Sequence, residues 1–493
     1  MRRRDLLALG LRGDATIKSA QQAVAAAARS GVKKRALRDG VVRVRDAPDR
    51  FLDDPIWGAL AQALIDREAA RDAYAPRAEP APYAQWGDDA DDASRAQMAN
   101  ACTLPIAVRG ALMADAHLGY GLPIGGVLAT RNAVIPYAVG VDIACRMKLT
   151  VLDLPPTAIT GQRDRLAKTL ERETRFGIGA RFQTPQTHDV MDDPAWQSDP
   201  LLRRLKDRAW RQLGTSGSGN HFVEFGLLTH EPIADDDRSD NRDTAGDDAI
   251  GDDPAARDDD LGLERGRVYL ALLSHSGSRG AGANVASHYS KRAMEQHPEL
   301  PKVLRHLAWL DLDSDDGAAY WQAMTLMGRY AEANHACIHR AIARALGADV
   351  LLDVENHHNF AWREHHDGED VIVHRKGATP AGAGVLGVIP GSMASPAFIV
   401  RGRGREAALR SASHGAGRVM SRRKANESFT WSQARALLAE RQVELLSAGL
   451  DEVPMAYRDI ESVMAAQRDL VTPLMRFQPR IVKMAPAGER PED

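Results

Sequence analysis

Cysteine and aromatic residues are scarce in this chain of 493 residues. It contains three cysteines, Cys102, Cys145 and Cys337, and 5% of its residues are aromatic. A small, odd number of cysteines argues against a disulfide framework and favours a reducing compartment. We therefore interpret any cysteine with a special role as a metal ligand or a nucleophile.

Long hydrophobic runs are also missing. No stretch approaches the roughly 20 apolar residues that a membrane span needs. Three arginines at positions 2–4 precede a short apolar run, as in a secretory signal, but Arg12 closes that run. We expect a cytoplasmic protein with no membrane partner.

Several familiar catalytic motifs are missing as well. The sequence has no Gly-x-x-x-x-Gly-Lys-Ser/Thr phosphate loop, no Gly-x-Ser-x-Gly turn, no His-Glu-x-x-His helix and no Cys-x-x-Cys pair. The Lys-x-Asp-Gly motif of lysine nucleotidyltransferases is not found either. If the protein handles a nucleotide, it does so by other means.

Charge is nearly balanced overall, with a net charge of −3, but it is unevenly distributed. Residues 231–264 hold 14 acidic residues against three arginines and no aromatic residue. Such a stretch cannot bury enough apolar surface to order itself. We predict a disordered acidic insertion over residues 230–264, in a fold whose remaining positive charge is compatible with a polyanionic partner.

The periodicity of apolar residues predicts a mixed fold. Helices are predicted over residues 17–30, 56–74, 157–175, 196–213, 317–346, 430–448 and 457–470. Short β-like runs cover residues 105–108, 125–129, 133–139 and 268–274, and Asp367-Gly368 predicts the turn of a hairpin over 363–375. Because no βαβ alternation is present, we predict one large α+β domain over residues 101–484. A divergent section, residues 1–100, precedes it, and a polar tail, residues 485–493, follows it.

Polar residues gather in five clusters that are rich in glycine. They are residues 115–126, 140–145, 214–224 and 274–280, and a composite of 356–359, 374–379, 390–393 and 413–418. A carboxylate, a thiolate and three imidazoles match a site for Mn²⁺ or Zn²⁺, and the candidate ligands are Asp142, Cys145, His221, His275 and His358. Positive charge for a phosphate or an RNA end comes from Arg279, Arg375, Lys376, Arg418 and Arg422.

Each cluster alone also has a purely structural interpretation, since a lone cysteine is most often a small buried hydrophobic residue. His335 and His339 are one helical turn apart and could bind zinc, but we assign them to a helix surface. His365 and His366 are interpreted as exposed residues of the hairpin.

Together the clusters resemble the family of RtcB-type RNA-splicing ligases. The matching segments are Asp-Ala-His-Leu-Gly-Tyr-Gly-Leu-Pro-Ile-Gly (115–125), Gly-Val-Asp-Ile-Ala-Cys (140–145), Gly-Ser-Gly-Asn-His-Phe-Val-Glu (217–224), His-Ser-Gly-Ser-Arg-Gly (275–280), His-His-Asn (357–359), His-Arg-Lys-Gly-Ala (374–378), Ile-Pro-Gly-Ser-Met (389–393), Ser-His-Gly-Ala-Gly-Arg-Val-Met-Ser-Arg (413–422) and Pro-Met-Ala-Tyr-Arg-Asp-Ile (454–460). They follow the family's order over about residues 102–470.

The resemblance implies an RNA ligase that uses GTP and two Mn²⁺ ions. Cys145 would bridge the ions, one of which would also take His275 and His358, and the other Asp142 and His221. His414 would form a covalent histidine–GMP intermediate, and an RNA-ppG intermediate would follow. The enzyme would join RNA ends bearing a 3′-phosphate or 2′,3′-cyclic phosphate to 5′-hydroxyl ends, with an accessory repair or activating protein as a possible partner.

The resemblance also implies contacts to the nucleotide and to the RNA. Positions that match the family's nucleotide contacts are Asn220, His221, Phe222, Glu224, Ser392, His414, Gly415, Ala416, Gly417, Tyr457 and Lys483. Contacts to substrate phosphate or RNA would come from Arg279, Arg375, Lys376 and Arg418.

The sequence departs from the family pattern at three places. Arg146 follows Cys145 where the family usually has glycine, Ala397 stands near the place of a serine, and residues follow the Lys483 that would read guanine. Two alternatives therefore stay open, namely nucleotidylation of 3′-phosphate ends without efficient sealing, and a non-catalytic RNA-binding relative. Transfer-RNA splicing and RNA repair both remain as settings for the reaction.

Overall fold

The computed structural model describes residues 1–11, 14–72, 75–230 and 261–488. Almost all of the predicted acidic insertion, residues 230–264, lies outside the described residues, as do the last five residues of the predicted tail. Within the described ranges, no helix combines the length and the hydropathy that crossing a bilayer requires.

Helices occupy the N-terminal section and the surroundings of the sheets. Their bounds are α1 Arg3–Ala8, α2 Asp14–Arg29, α3 Lys34–Asp46, α4 Gly58–Asp72, α5 Asp92–Cys102, α6 Pro136–Val139, α7 Ala158–Gly161, α8 Arg163–Glu173, α9 Pro200–Gln212, α10 Arg279–Gln296, α11 Asp315–Leu346, α12 Arg422–Ser428, α13 Trp431–Glu440 and α14 Ile460–Ala466. Helices α1 to α4 pack around an apolar cluster of their own, which includes Leu6, Val41 and Leu60.

Strands form two large sheets and two small ones. Their bounds are β1 Tyr83–Gln85, β2 Ala107–His117, β3 Ile124–Thr130, β4 Ala133–Val134, β5 Arg146–Leu152, β6 Phe222–His230, β7 Val268–Ser276, β8 Leu310–Asp311, β9 Val350–His357, β10 Asn359–His366, β11 Glu369–Lys376, β12 Ala378–Pro380, β13 Leu386–Pro390, β14 Ala397–Gly402, β15 Ser411–Ser413, β16 Glu444–Ser447 and β17 Val471–Met484. A five-stranded sheet has the order β1-β2-β3-β11-β10, and an eight-stranded sheet has the order β13-β14-β17-β6-β7-β5-β9, with β16 beside β17. This mixture of helices and mainly antiparallel strands confirms the predicted α+β class.

Local signals in the sequence are reproduced well. Strands β10 and β11 form the predicted hairpin, and Asp367 and Gly368 both have positive φ at its turn, as a type I′ turn requires. Helix α11 ends at Gly347, which adopts the left-handed conformation that stops a helix.

Two predicted elements each contain both a helix and a strand in the structure. Residues 133–139 divide into strand β4 and the short helix α6, because Pro136 fits the first turn of a helix but not the interior of a sheet. Residues 430–448 divide into α13 and β16, with Gln442 at positive φ between them. The apolar periodicity of this segment did not reveal the break.

The centre of the eight-stranded sheet positions the candidate site. Every residue of β5 is buried, and β7 is buried from its second residue onward. Helix α11 packs against both strands on one side. Since antiparallel neighbours alternate in direction, the start of β5 lies beside the ends of β7 and β9.

Candidate metal centre and nucleotide cavity

Asp142 and Cys145 lie in the connection between α6 and β5. Ala144 has φ 57°, a left-handed conformation that costs a residue with a side chain roughly 1–2 kcal/mol. Its N–H donates to the carbonyl of Asn359 at 2.6 Å, which anchors the turn. The turn brings the carboxylate and the thiol to the same side of the backbone.

Three histidines reach this turn from neighbouring strands. His221 precedes β6, His275 lies near the end of β7, and His358 follows β9. The Cys145 Sγ atom is 3.3 Å from His221 Nε2 and 3.1 Å from His275 Nε2. His275 Nε2 is in turn 3.2 Å from His358 Nε2. Asp142 Oδ2 lies 3.1 Å from His221 Nε2, so the five side chains form one continuous cluster.

The electrostatics of the cluster suit metal ligands. Burial lowers the pKa of His275 to about 3, and burial also holds the pKa of His358 well below its ordinary value. Burial alone would raise the pKa of Asp142, but the hydrogen bond and charge of His221, the hydrogen bond to Cys145 and the charge of Arg279 together outweigh it and leave that pKa lowered. Neutral imidazoles and an ionised carboxylate therefore offer lone pairs at neutral pH.

The surrounding hydrogen bonds leave the ligating atoms available. His275 Nδ1 donates to the carbonyl of Asn220 at 3.1 Å, which fixes the tautomer with a lone pair on Nε2. Ser278 donates its N–H to Asp142 Oδ1 at 3.0 Å, so the other carboxylate oxygen faces the cluster. Two sets of three donors, Cys145–His275–His358 and Asp142–Cys145–His221, each lie within 4.8 Å of one another. Sulfur, nitrogen and oxygen donors in this arrangement fit divalent transition-metal ions.

His414 stands beside the cluster and is held by a buried carboxylate. Its Nδ1 donates to Asp115 Oδ2 at 2.6 Å, and its ring centroid is 4.9 Å from that of His358. Asp115 is fully buried in β2 and also accepts from the N–H groups of His414 and Gly415. This pairing leaves His414 Nε2 with a lone pair, which is the arrangement of an oriented nucleophile or base.

A cavity of about 560 Å³ contains the cluster and His414. Sixteen predicted site residues line it, namely Asp142, Cys145, Asn220, His221, Phe222, Glu224, His275, His358, Lys376, Ser392, His414, Gly415, Ala416, Gly417, Arg418 and Tyr457. A cavity of this size is large enough for a nucleotide. Burial raises the pKa of Glu224, which lines this cavity, well above its ordinary value.

Three other predicted site residues do not line this cavity. Lys483 points to the opposite face of β17, where Nζ donates to the carbonyl of Leu170, because neighbouring residues of a strand alternate between faces. Val482 and Met484, on either side, do line the cavity. Arg375 makes a bidentate ion pair with Glu364 at 2.5 and 3.1 Å, and its guanidinium is buried.

Arg279 is the third of these residues. It begins α10 with φ 56° and is 1% exposed. Its guanidinium donates to Thr215 Oγ1 and to the carbonyl of Gly177. It lies close enough to Asp142 to lower the pKa of that carboxyl group. Arg279 thus contributes positive charge next to the candidate metal ligands, although it does not line the cavity.

Lys376 and Arg418, two of the cations that line the cavity, have different surroundings. Lys376 Nζ donates to the carbonyl of Tyr120 at 2.6 Å, and burial lowers the pKa of Lys376 to about 7. Arg418 packs its guanidinium over the ring of Tyr457 at 5.2 Å and pairs with the buried Glu452 at 3.2 Å. Burial therefore disfavours the charged form of Lys376, whereas the guanidinium of Arg418 has a carboxylate partner.

Arg146, the large residue after Cys145, points away from the metal cluster. Its guanidinium donates to Glu355 Oε1 at 2.8 Å and lies 3.2 Å from His357 Nδ1. It does not line the cavity. The departure from glycine at this position therefore leaves the space beside Cys145 open.

The histidines assigned to surfaces are largely buried instead. His335 and His339 are 0% and 4% exposed, and both accept or donate hydrogen bonds with Ser274 Oγ, at 2.8 and 2.7 Å. The assignment to a helix surface was wrong because α11 is covered by the sheet along this face. In the hairpin, His365 is exposed as predicted, but His366 is buried between Glu364 and Glu406.

Asp115 and Glu452 are the functional candidates that the sequence did not assign. Asp115 opens the first polar cluster, but its partner His414 is 299 positions away. Glu452 is 2% exposed and binds Arg418, Arg422 and Tyr457 at the cavity wall. A carboxylate next to a glycine-rich cluster was the available signal for Asp115, whereas Glu452 lies in an unremarkable 3₁₀ turn.

Comparison with known proteins identifies relatives over most of the chain. The family model described as tRNA-splicing ligase RtcB matches residues 97–197 and 190–484. An RNA-splicing ligase RtcB of Escherichia coli K12 is 32% identical over 428 residues, covering 80% of this chain and 95% of the relative. An RNA-splicing ligase RtcB of Mycobacterium tuberculosis is 33% identical, covering 78% and 98%. A tRNA-splicing ligase RtcB of Methanococcus maripaludis is 29% identical, covering 80% and 90%.

Proposed function

Because this chain belongs to the RtcB family of RNA-splicing ligases, we propose that it joins RNA ends through a covalent histidine–GMP intermediate on His414. The observation that carries the proposal is the buried Asp115–His414 pair, which lies beside a cluster of five metal-ligand candidates in one cavity. A binding protein without catalysis has no chemical need for an oriented imidazole next to a buried thiol.

In the first step, His414 Nε2 attacks the α-phosphorus of GTP. A phosphorus–nitrogen bond forms, the bond to the β-phosphate breaks, and pyrophosphate leaves. Asp115 holds the proton on Nδ1 and stabilises the positive charge that the ring gains. The N–H groups of residues 414 and 415 already point towards Asp115, so the loop is fixed before the nucleotide arrives.

The guanylate occupies the part of the cavity that adjoins the sheet edge. Its proposed contacts are Asn220, Phe222, Glu224, Ser392, Tyr457 and the loop 415–417, all of which line the cavity. Glu224 offers its carboxyl group, whose pKa burial raises, to the polar edge of the base. Lys483 is not among the proposed contacts, since its side chain lies against α8.

Two Mn²⁺ ions are the proposed metal cofactors. The side chains that would hold them are Cys145, His275, His358, Asp142 and His221. Bound there, the ions would neutralise charge on the phosphates during transfer.

The RNA steps follow from the activated histidine. A 3′-phosphate oxygen of the RNA attacks the phosphorus of the histidine–GMP, which restores His414 and yields RNA-ppG. The 5′-hydroxyl of the second RNA end then attacks the 3′-phosphate, a phosphodiester forms, and GMP leaves. A 2′,3′-cyclic phosphate is first opened by water to a 3′-phosphate. Lys376 and Arg418 supply positive charge for these phosphates.

We place the reaction in the cytoplasm, which suits a chain whose three cysteines are buried and form no disulfide. Transfer-RNA splicing and RNA repair use the same ends, and both remain within this proposal. An accessory protein is compatible with it as well.

The covalent intermediate is tested by labelling the protein with α-³²P-GTP and Mn²⁺ and resolving it on a denaturing gel. We expect label on the wild type, none on His414→Ala, and full label on His365→Ala, whose ring is exposed outside the cavity. Label that survives in His414→Ala would refute the assignment of the nucleophile. Adding an RNA with a 3′-phosphate and a partner with a 5′-hydroxyl then separates ligation from end capping, because only ligation lengthens the RNA.

A further inference from the structure

A second cavity, of about 430 Å³, lies between the N-terminal helices and the ligase core. Arg67 of α4 lines one side of it, and Ser290, Lys291 and Glu295 of α10 line the other. The family match begins at residue 97, so one wall comes from a section that the family model does not cover. We call this space the second cavity, and the space around His414 the reaction cavity.

The second cavity carries an excess of positive charge. Arg67, Lys291 and Arg305 line it, against the single carboxylate of Glu295. Glu295 Oε1 already accepts from Arg3 Nη2 at 2.8 Å, which balances its charge. Across the described ranges, neither Lys291 nor Arg305 makes an ion pair with an acidic side chain. Such a concentration of cations favours an anionic ligand.

A buried hydroxyl group in the second cavity also lacks a partner. Ser290 is 4% exposed, and its Oγ atom makes no hydrogen bond with any described residue. Leaving a buried hydroxyl without a hydrogen bond costs free energy, and an anion in the adjacent space would accept a hydrogen bond from it. The hydroxyl and the cations therefore point to one kind of ligand, an oxyanion such as phosphate.

Aromatic side chains connect this space to the reaction cavity. Tyr137 lines both cavities. Its ring lies 4.7 Å from that of His306, which contacts Tyr120 of the reaction cavity edge-on at 6.0 Å. Aromatic faces stack on nucleobases whatever their sequence, and neighbouring cations follow the backbone.

We propose that the second cavity binds a backbone phosphate of the substrate RNA, at a nucleotide removed from the reacting end. This inference rests on the proposed function, since it takes RNA as the substrate of the reaction cavity. Helices α1 and α4 thereby become part of the RNA-binding surface. Recognition through phosphate makes this contact independent of RNA sequence.

The test measures binding of fluorescent oligoribonucleotides of increasing length, each with a 3′-phosphate, by anisotropy at several salt concentrations. The variant is Lys291→Glu/Arg305→Glu, and both replaced side chains are exposed. The charge-matched control is Lys168→Glu/Arg172→Glu on α8, whose side chains line neither cavity. We expect the cavity variant to bind long RNA at least fivefold more weakly. The slope of log affinity against log salt should fall by about 0.7 for each RNA phosphate that the variant no longer neutralises.

RNA length supplies a second readout. The cavity variant and the wild type should bind the shortest oligonucleotides equally well, and differ only once the RNA reaches the second cavity. Equal losses in the cavity variant and the control, or a loss that does not depend on length, would overturn the proposal. The proposal would also be overturned if the cavity variant bound inorganic phosphate more weakly but bound RNA as tightly as the wild type.

Labelling with α-³²P-GTP keeps this proposal distinguishable from the proposed function. Suppose that the wild type takes label and that the cavity variant binds long RNA as tightly as the wild type. This result would refute RNA binding at the second cavity and would still support the ligase mechanism. Wild-type protein that takes no label, together with a length-dependent loss in the cavity variant, would support the phosphate site and refute the histidine–GMP mechanism.

Discussion

The Asp115–His414 hydrogen bond determines which ring nitrogen can act. Asp115, which is fully buried, accepts a hydrogen bond from Nδ1–H, so the lone pair stays on Nε2. In the proposed histidine–GMP intermediate, a carboxylate would also stabilise the charged ring, whereas a neutral amide would not.

We expect Asp115→Asn to slow the labelling of His414 by about 10²-fold or more, because the amide neither fixes this tautomer nor carries the compensating charge. The measurement is the single-turnover rate of labelling with α-³²P-GTP. Asp370→Asn is the matched control, since Asp370 holds the exposed His365 at 2.9 Å. Labelling of Asp115→Asn at the wild-type rate would contradict the orienting role.

At this scale the sequence predicts residue types better than side-chain directions. All five ligand candidates occur in motifs and meet in the structure. Lys483 was predicted to read guanine, yet its position on β17 turns it away from the cavity. Whether a strand residue faces one side or the other depends on a register that no local motif contains.

Helix α11 contributes a buried polar chain behind the metal cluster. Thr150 Oγ1 lies 2.6 Å from His339 Nδ1, and His339 Nε2 lies 2.7 Å from Ser274 Oγ. His335 then links Ser274 to the carbonyl of Ser276, at 2.8 and 3.1 Å. Ser274 and Ser276 flank the ligand His275, so this chain fixes the end of β7.

We expect His339→Phe to lower the free energy of unfolding by about 1–3 kcal/mol, because the hydroxyls of Thr150 and Ser274 lose a buried partner. Urea unfolding followed by circular dichroism measures the change. His365→Phe is the control, since a substitution at an exposed position should change stability by no more than about 0.5 kcal/mol. Equal unfolding curves for the two variants would show that the buried chain does not stabilise the sheet.

The element scale also shows why some elements could be predicted and others could not. The hairpin of β10 and β11 and the end of α11 depend on turn residues adjacent in sequence. The pairing of β5 with β9, by contrast, joins residues about 200 positions apart. Long-range pairing depends on packing of the whole sheet, which periodicity within a segment does not encode.

For the whole molecule, metal binding and folding should be coupled. The ligand candidates come from the turn before β5 and from the ends of β6, β7 and β9, so they meet only when these strands are paired. A ligand that binds only the folded state stabilises it, by about 2.7 kcal/mol at 100 times its dissociation constant.

We therefore expect Mn²⁺ to raise the melting temperature of the wild type by a few degrees, and EDTA to reverse the rise. Differential scanning fluorimetry over a range of Mn²⁺ concentrations measures the effect. Cys145→Ala should lose it, because the shared thiolate is gone. Cys337→Ala should keep it, since Cys337 is buried elsewhere, beside Arg340. A shift that Cys145→Ala retains in full would place the ions at another site.

The position of β17 in the eight-stranded sheet has a consequence for synthesis. This strand, at residues 471–484, lies between β14 and β6 in the interior of the sheet. During synthesis, those two partners therefore keep unpaired backbone edges until residues 471–484 have been translated. A chain that stops short of β17 leaves that gap unfilled, and the cavity wall formed by Val482 and Met484 is missing. Products that end before β17 would thus be prone to aggregate. They would also lack a complete cavity, so they would not act on RNA.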